Sequence, residues 1–349
     1  MKELIKDTHL CIGLFLMRLV AVSPVIKRYT RLLLCGFSSL MLLAGCGGGE
    51  KWDDSAVLFD PKGLITQLNI PLKGSLQNAA WSPDGNSIVF TRFMEGYNSG
   101  AADIMVFNLA EESMRTLVSD GSTNVNLPGS TWNPVTHQIV FSSAREPHDE
   151  VFIIDETGGS GDEIKVTQRP DLVAYEPSLS PDGEWVVFEK HRLDVAGNGV
   201  LEKYRIDGTA PYQRLTGLND DCRQPNWSPD GSRILYQAFN NGQWDIWTVN
   251  SDGTNRRQVT SGAGDKTDAS FSPDGQWIVY SADGPALSFA KLFIMHLSGG
   301  TPVQVTFSDT YDGAPSWSPD GTRIVYESYP GDPDSSPGTT LWVVDVPPL

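Results

Sequence analysis

Four cysteines in 349 residues are too few to staple this chain, and their placement leaves fewer still. Cys11 and Cys35 lie in an N-terminal leader, residues 1–45, and Cys46, directly after it, is assigned a separate role, so Cys222 stands alone and an intramolecular disulfide is excluded for the rest. Stability has to come from a buried core. Positive charge is scarce too. The 26 Lys and Arg face 43 Asp and Glu, a formal net charge of −17, and setting residues 1–45 aside leaves 20 bases against 41 acids, or −21. Such a surface repels phosphate backbones and argues against nucleic-acid binding; solubility accounts for it without a further role. Long apolar runs are missing: the uncharged stretch 32–44 has 13 residues, short of the roughly 20 that span a bilayer. Motifs of chemistry are absent as well. The sequence has no Gly-x-Ser-x-Gly elbow, no His-Glu-x-x-His, no Cys-x-x-Cys, no phosphate-binding loop and no Gly-x-Gly-x-x-Gly.

What is present begins with an export signal. Lys27, Arg28 and Arg31 precede the apolar stretch, which ends in Leu43-Ala44-Gly45-Cys46. A basic region, a short apolar run and small residues at a cut site describe a secretory signal over residues 1–45. Met17 offers an alternative start of more usual length. The Leu-Ala-Gly-Cys tetrad resembles a bacterial lipobox, which implies that Cys46 is lipidated and that residues 46–53 tether the remainder, 54–349, to a membrane. Gly47 follows the cysteine. By similarity to enterobacterial sorting, that implies the outer membrane, with the protein facing the periplasm.

One pattern then recurs six times. Trp81-Ser-Pro-Asp-Gly85 returns as Trp132-Asn-Pro-Val-Thr136, Leu179-Ser-Pro-Asp-Gly183, Trp227-Ser-Pro-Asp-Gly231, Phe271-Ser-Pro-Asp-Gly275 and Trp317-Ser-Pro-Asp-Gly321, with prolines 44 to 51 residues apart. An apolar triplet such as Ile88-Val-Phe90 or Ile324-Val-Tyr326 follows each one. Pro presets a turn's second position, Asp bonds its own backbone and Gly accepts positive φ, so each copy is a hairpin between buried strands. A second strand pair follows, as in 245–249 and 257–260. Four strands per repeat of this length make a propeller blade. The fold class is therefore all-β, a six-bladed β-propeller of four-stranded antiparallel blades. After Trp317 only three strands remain, and Leu64–Leu68 is the expected fourth, closing the ring and protecting two edges.

The Trp-Ser-Pro-Asp-Gly hairpins, with the Asp-Ile-Trp and Gln-Val-Thr strands, resemble the TolB-type propeller repeat over roughly 54–349. Proteins similar to TolB carry an α/β domain ahead of the propeller and bind a lipoprotein at the channel mouth. Here Cys46 and Gly47–Gly49 lead almost directly into blade strands, so the resemblance reaches the propeller and not that domain. Prolyl-oligopeptidase-type and oligogalacturonate-lyase propellers are further relatives by repeat.

The expected activity is binding without catalysis. No cofactor is expected. In a four-stranded blade the first and third turns share one face; the second turns and interblade links share the other. The first face has near-identical tight turns. The second carries the length variation, and its links begin the innermost strands, so partner binding is expected at that channel mouth. Tyr175, Glu176, Asp221, Arg223, Asp268, Tyr311 and Asp312 are the rim candidates, with Arg223 expected among Asp220, Asp221 and Asp268. An envelope protein or polysaccharide is the expected partner, on a monomer anchored by lipid. Trp244, in a loop, is a candidate ligand contact, whereas Trp81, Trp132, Trp227 and Trp317 read as core. His148 and His191 fall in corresponding loops and could approach each other, which is thin support for a metal. The loop Asp194–Glu202 lacks the alternating carboxylates of a calcium hairpin. The alternative reading is a propeller enzyme, a glycan lyase or hydrolase-like protein, with an unrecognised site.

Overall fold

The computed structural model describes residues 65–119, 121, 125–127, 131–168, 172–192, 199–330 and 338–349. The leader, Cys46, the tether, Leu64 and most of the Asp194–Glu202 loop lie outside the described residues. Among the described residues, twenty-four strands form six antiparallel sheets of four and there is no helix. In blade one Ser75–Trp81, Ser87–Phe93, Ala102–Asn108 and Ser113–Val118 pair in chain order, and blades two to five repeat that order. Blade six takes Thr310–Trp317, Arg323–Pro330 and Thr340–Asp345 from the end of the chain, and Ile65–Gln67 as its outer strand. Ile65 pairs with Val344 and Gln67 with Trp342, and the Leu68 amide donates to the Leu341 carbonyl at 2.9 Å. The expected ring closure is present over a slightly shorter strand.

The core is divided into six wedges between neighbouring blades. One wedge joins Val89, Ile104 and Val106 of blade one to Ile139, Phe141 and Ile154 of blade two. The closing wedge sets Leu76, Ile88 and Phe90 of blade one against Val325 and Leu341 of blade six. Second strands such as Ile88-Val89-Phe90 are buried on both faces because each blade is covered on both sides, which is why their sequences are continuously apolar.

Each Ser-Pro-Asp-Gly turn is held by its own side chains. In blade one the Ser82 hydroxyl donates to Asp84, Asp84 accepts the Asn86 amide at 3.0 Å, and the Ser87 amide donates back to Ser82 Oγ at 2.9 Å. Blade two, which lacks Ser and Asp there, uses Asn133, whose Oδ1 accepts the amides of Val135 and Thr136 at 2.8 Å each. The turns also interlock around the ring. A Cβ built on Gly231 would touch Pro181, one on Gly275 Pro229 and one on Gly321 Pro273; at Gly183, with φ +73°, it would clash at 2.3 Å with Thr136 Cγ2.

A second ring-wide device was not legible in advance. Halfway along the inner strands the pairing slips, and a non-glycine residue takes positive φ: Asn78, Glu176, Gln224, Asp268 and Ala314. These are β-bulges, and in five of the six blades the polar residue following the apolar triplet latches onto the next blade beside them; Ser142 of blade two makes no such bond. Glu327 accepts the Asn78 amide at 3.1 Å, Glu189 the Gln224 amide at 3.3 Å and Gln237 the Asp268 amide at 3.0 Å. Where that residue is short, it reaches a carbonyl instead: Thr91 donates to Val125 and Ser281 to Asp312.

Candidate functional site

The bulges bring the residues of the link-face mouth together. Because each inner strand starts at the links and runs toward the tight turns, residues at or before the bulge face the link side. There Gln77, Asn78, Tyr97, Tyr175, Glu176, Gln224, Asp268, Tyr311 and Glu327 enclose a cavity of about 110 Å³. Beneath it the bulge residues close the axis to a neck of about 30 Å³, room for water and little more.

This vestibule is acidic but largely uncharged. Burial, then the neighbouring Glu189 and Asp268, raise the Glu176 carboxyl well above its ordinary value. Burial and the Asp268 charge push Glu327 up to about 8, and burial raises Asp268 itself. Carboxyls crowded and buried together cannot all ionise, so protons are retained. The Tyr97 hydroxyl donates to Glu327, whose charge, with burial, raises the Tyr97 pKa; Tyr311 is raised by burial and by Asp268. At the edge His191 bonds Glu189, and that bond raises the imidazole's pKa.

Of the seven rim candidates, Tyr175, Glu176, Asp268 and Tyr311 line the vestibule. Asp221 and Arg223 lie beside it as an ion pair at 3.2 Å. Asp312 does not reach the mouth: it is fully buried and pairs with Lys291 at 3.3 Å. One residue beyond Tyr311 on a strand, its side chain takes the opposite face. The acid set expected around Arg223 is also narrower. Asp220 binds Arg256 at 2.6 Å, and Asp268 bonds Gln224 and Thr267. His191 engages Glu189 rather than a second histidine, and among the described residues no three His, Cys, Asp or Glu could hold a metal ion. Cys222 is buried, and burial pushes its thiol up to about 12, so it is no nucleophile. Sequence reasoning missed Tyr97, Glu189, Gln224 and Glu327. A signal existed: a polar residue follows every apolar triplet, and twice it is glutamate.

Outside the vestibule, Arg223 lies over the Trp244 ring at 4.9 Å, and Trp244 packs against Phe239 at 5.3 Å between centroids. Phe239 is 48% exposed and Leu218, on the adjoining link, 62%. Trp244, singled out in sequence as a loop residue, is in fact the second residue of the third strand of blade four, Gln243–Asn250, with its amide tied to Asp265.

Comparison with known proteins places this geometry. The TolB beta propeller domain family matches residues 208–332. A TolB homolog of Chlorobium luteolum is 30% identical over 162 residues, 46% of this chain and 35% of that protein. The crystal structure of TolB from Acinetobacter baumannii superposes with a TM-score of 0.59 at 18% identity, covering 75% of this chain and 64% of that one. The chain is similar to TolB-type propellers over part of its length. It spans about a third of the Chlorobium protein, so the resemblance concerns the propeller. An uncharacterized protein of Agrobacterium fabrum is matched more fully, at 24% identity over 70% of this chain and 80% of that one. The same fold occurs in an oligogalacturonate lyase in complex with manganese, with a TM-score of 0.54, 15% identity, and 83% and 95% of the two chains covered.

Proposed function

We propose that this chain is a lipid-anchored, periplasm-facing binding protein that captures a protein partner at the link-face mouth of its propeller, without catalysis. The observation that carries this is the cluster Arg223–Trp244–Phe239 beside the vestibule. Exposed aromatic and arginine side chains packed on one another are the composition of interface hot spots, because they present large rigid area at little entropic cost. The vestibule adds chemistry for a basic group: a cation entering it favours the ionised forms of Glu176, Asp268 and Glu327, whose pKa values burial and mutual repulsion raise. The TolB likeness supports an envelope protein as partner. The test is affinity capture from detergent-solubilised envelope. Arg223→Ala with Phe239→Ala should lose the captured protein at an unchanged melting temperature. Asn86→Ala with Thr322→Ala, on the tight-turn face, should keep it. The reverse pattern refutes the assignment.

A second reading, an enzyme on acidic glycan, draws on the lyase likeness and on the convergent carboxyls. It is the weaker one, because a polyuronate entering the vestibule meets groups of its own sign as they ionise.

A further inference from the structure

On the tight-turn face the channel widens again, into a cavity of about 330 Å³, three times the volume of the acidic vestibule. Its wall takes one residue from each blade at one repeat position: Trp81, Trp132, Leu179, Trp227, Phe271 and Trp317, beneath a lip of the six turn prolines. That volume falls in the range of ligand pockets. Outside the lip stand five exposed aspartates, Asp84, Asp182, Asp230, Asp274 and Asp320. Hydrogen bonds from Ser82 and the Asn86 amide hold Asp84 below the usual carboxylate range, and the same pair of contacts, from Ser318 and Thr322, holds Asp320 at about 2. The other three are lowered as well. The apolar funnel thus wears an ionised collar at neutral pH.

Blade two interrupts that collar. Val135 stands where the other blades have aspartate, 65% exposed. Beside it Trp132 also lines a second cavity of about 680 Å³, which runs between blades one and two past Asp84, His137 and Glu156. The Trp132 indole N–H donates to Glu156, which also lines that second cavity, at 2.9 Å.

We propose that this funnel docks an extended peptide segment of a partner protein, one that presents a bulky apolar side chain next to lysine or arginine. The apolar wall receives the side chain. The collar of five aspartates, with Arg205, Arg233 and Arg323 near Asp182, Asp230 and Asp320 and no arginine recorded near Asp84 or Asp274, keeps an excess of negative charge that favours a cation beside it. The gap at Val135 gives the peptide backbone a way out into the adjoining groove. A neutral acyl chain would gain nothing from the collar, and an anionic lipid would be repelled by it. The site lies on the face opposite Arg223 and Phe239, so it stands or falls apart from the link-face assignment.

The test is selection of a random heptapeptide display library on the immobilised full chain, followed by binding of one enriched synthetic peptide. Enriched peptides should combine a bulky apolar residue with an adjacent Lys or Arg. Affinity should fall about tenfold or more on Leu179→Trp, which fills the wall, and on Pro273→Lys, which sets a cation on the exposed lip. It should weaken with salt and be unmoved by Arg223→Ala with Phe239→Ala. The proposal is overturned by no enrichment relative to the Pro273→Lys protein, by enrichment of acidic or uncharged peptides, or by binding indifferent to both funnel substitutions. Should Leu179→Trp fail to melt cooperatively, Pro273→Lys decides alone, since it alters an exposed turn position.

Discussion

Replacing Glu327 by glutamine should change how stability depends on pH more than it changes the fold. Glu327 is buried to 2% exposure, accepts the Asn78 amide across the blade boundary, and has its carboxyl pushed up to about 8 from an ordinary 4.5. Between those values the folded protein holds a proton that the unfolded chain has released. Its contribution is therefore full below about 4.5 and is lost as pH rises through about 8. At ~1.36 kcal/mol for each pH unit, the interval is worth ~5 kcal/mol, an upper figure because Asp268 shares in the repulsion. Glutamine keeps an oxygen for the Asn78 amide and cannot ionise, so Glu327→Gln should be close to neutral near pH 5 and stabilising by several kcal/mol near pH 9. Urea unfolding at half-unit intervals from pH 5 to 9, for parent and variant, reads the difference directly. Parallel curves for the two proteins would refute the account of the vestibule as a store of retained protons.

Three further outcomes follow from other parts of the molecule. Deleting residues 54–69 removes the outer strand of blade six and uncovers Trp342 and Val344; at roughly 25 cal/mol per Å² of buried apolar area the loss should be several kcal/mol. A melting point within a degree or two of the parent would disprove the closure. Gly183→Ala should cost ~1–3 kcal/mol, since it combines positive φ with the Thr136 Cγ2 clash, and Thr136→Ser should restore part of that; strict additivity in the double variant would show that the turns do not interlock. Cys46→Ala should abolish lipid attachment and release or strand the chain, as judged by fractionation and radiolabelled palmitate; unchanged processing and membrane association would remove the anchor from the proposal.

The blade count, the four-stranded blades, the closing strand and the buried triplets were all legible in the sequence. The hairpins that mark the blades arise from contacts within one repeat, so each states its own Pro, Asp and Gly requirements. Ring closure, too, needed only a count of strands left over after Trp317. What surrounds the axis was not legible in the same way. The bulge residues Asn78, Glu176, Gln224, Asp268 and Ala314 share a backbone conformation and no side-chain type, so no motif marks them. Asp312 read as a rim residue from its place in a link, yet one residue's alternation sent it inward to Lys291. Glu327 and Asn78 meet across 249 positions, and the six wall residues of the funnel come from six repeats. Local chemistry dictates each blade, whereas the two mouths are made only when ring closure brings side chains from distant repeats to a common axis, where burial then sets their charge.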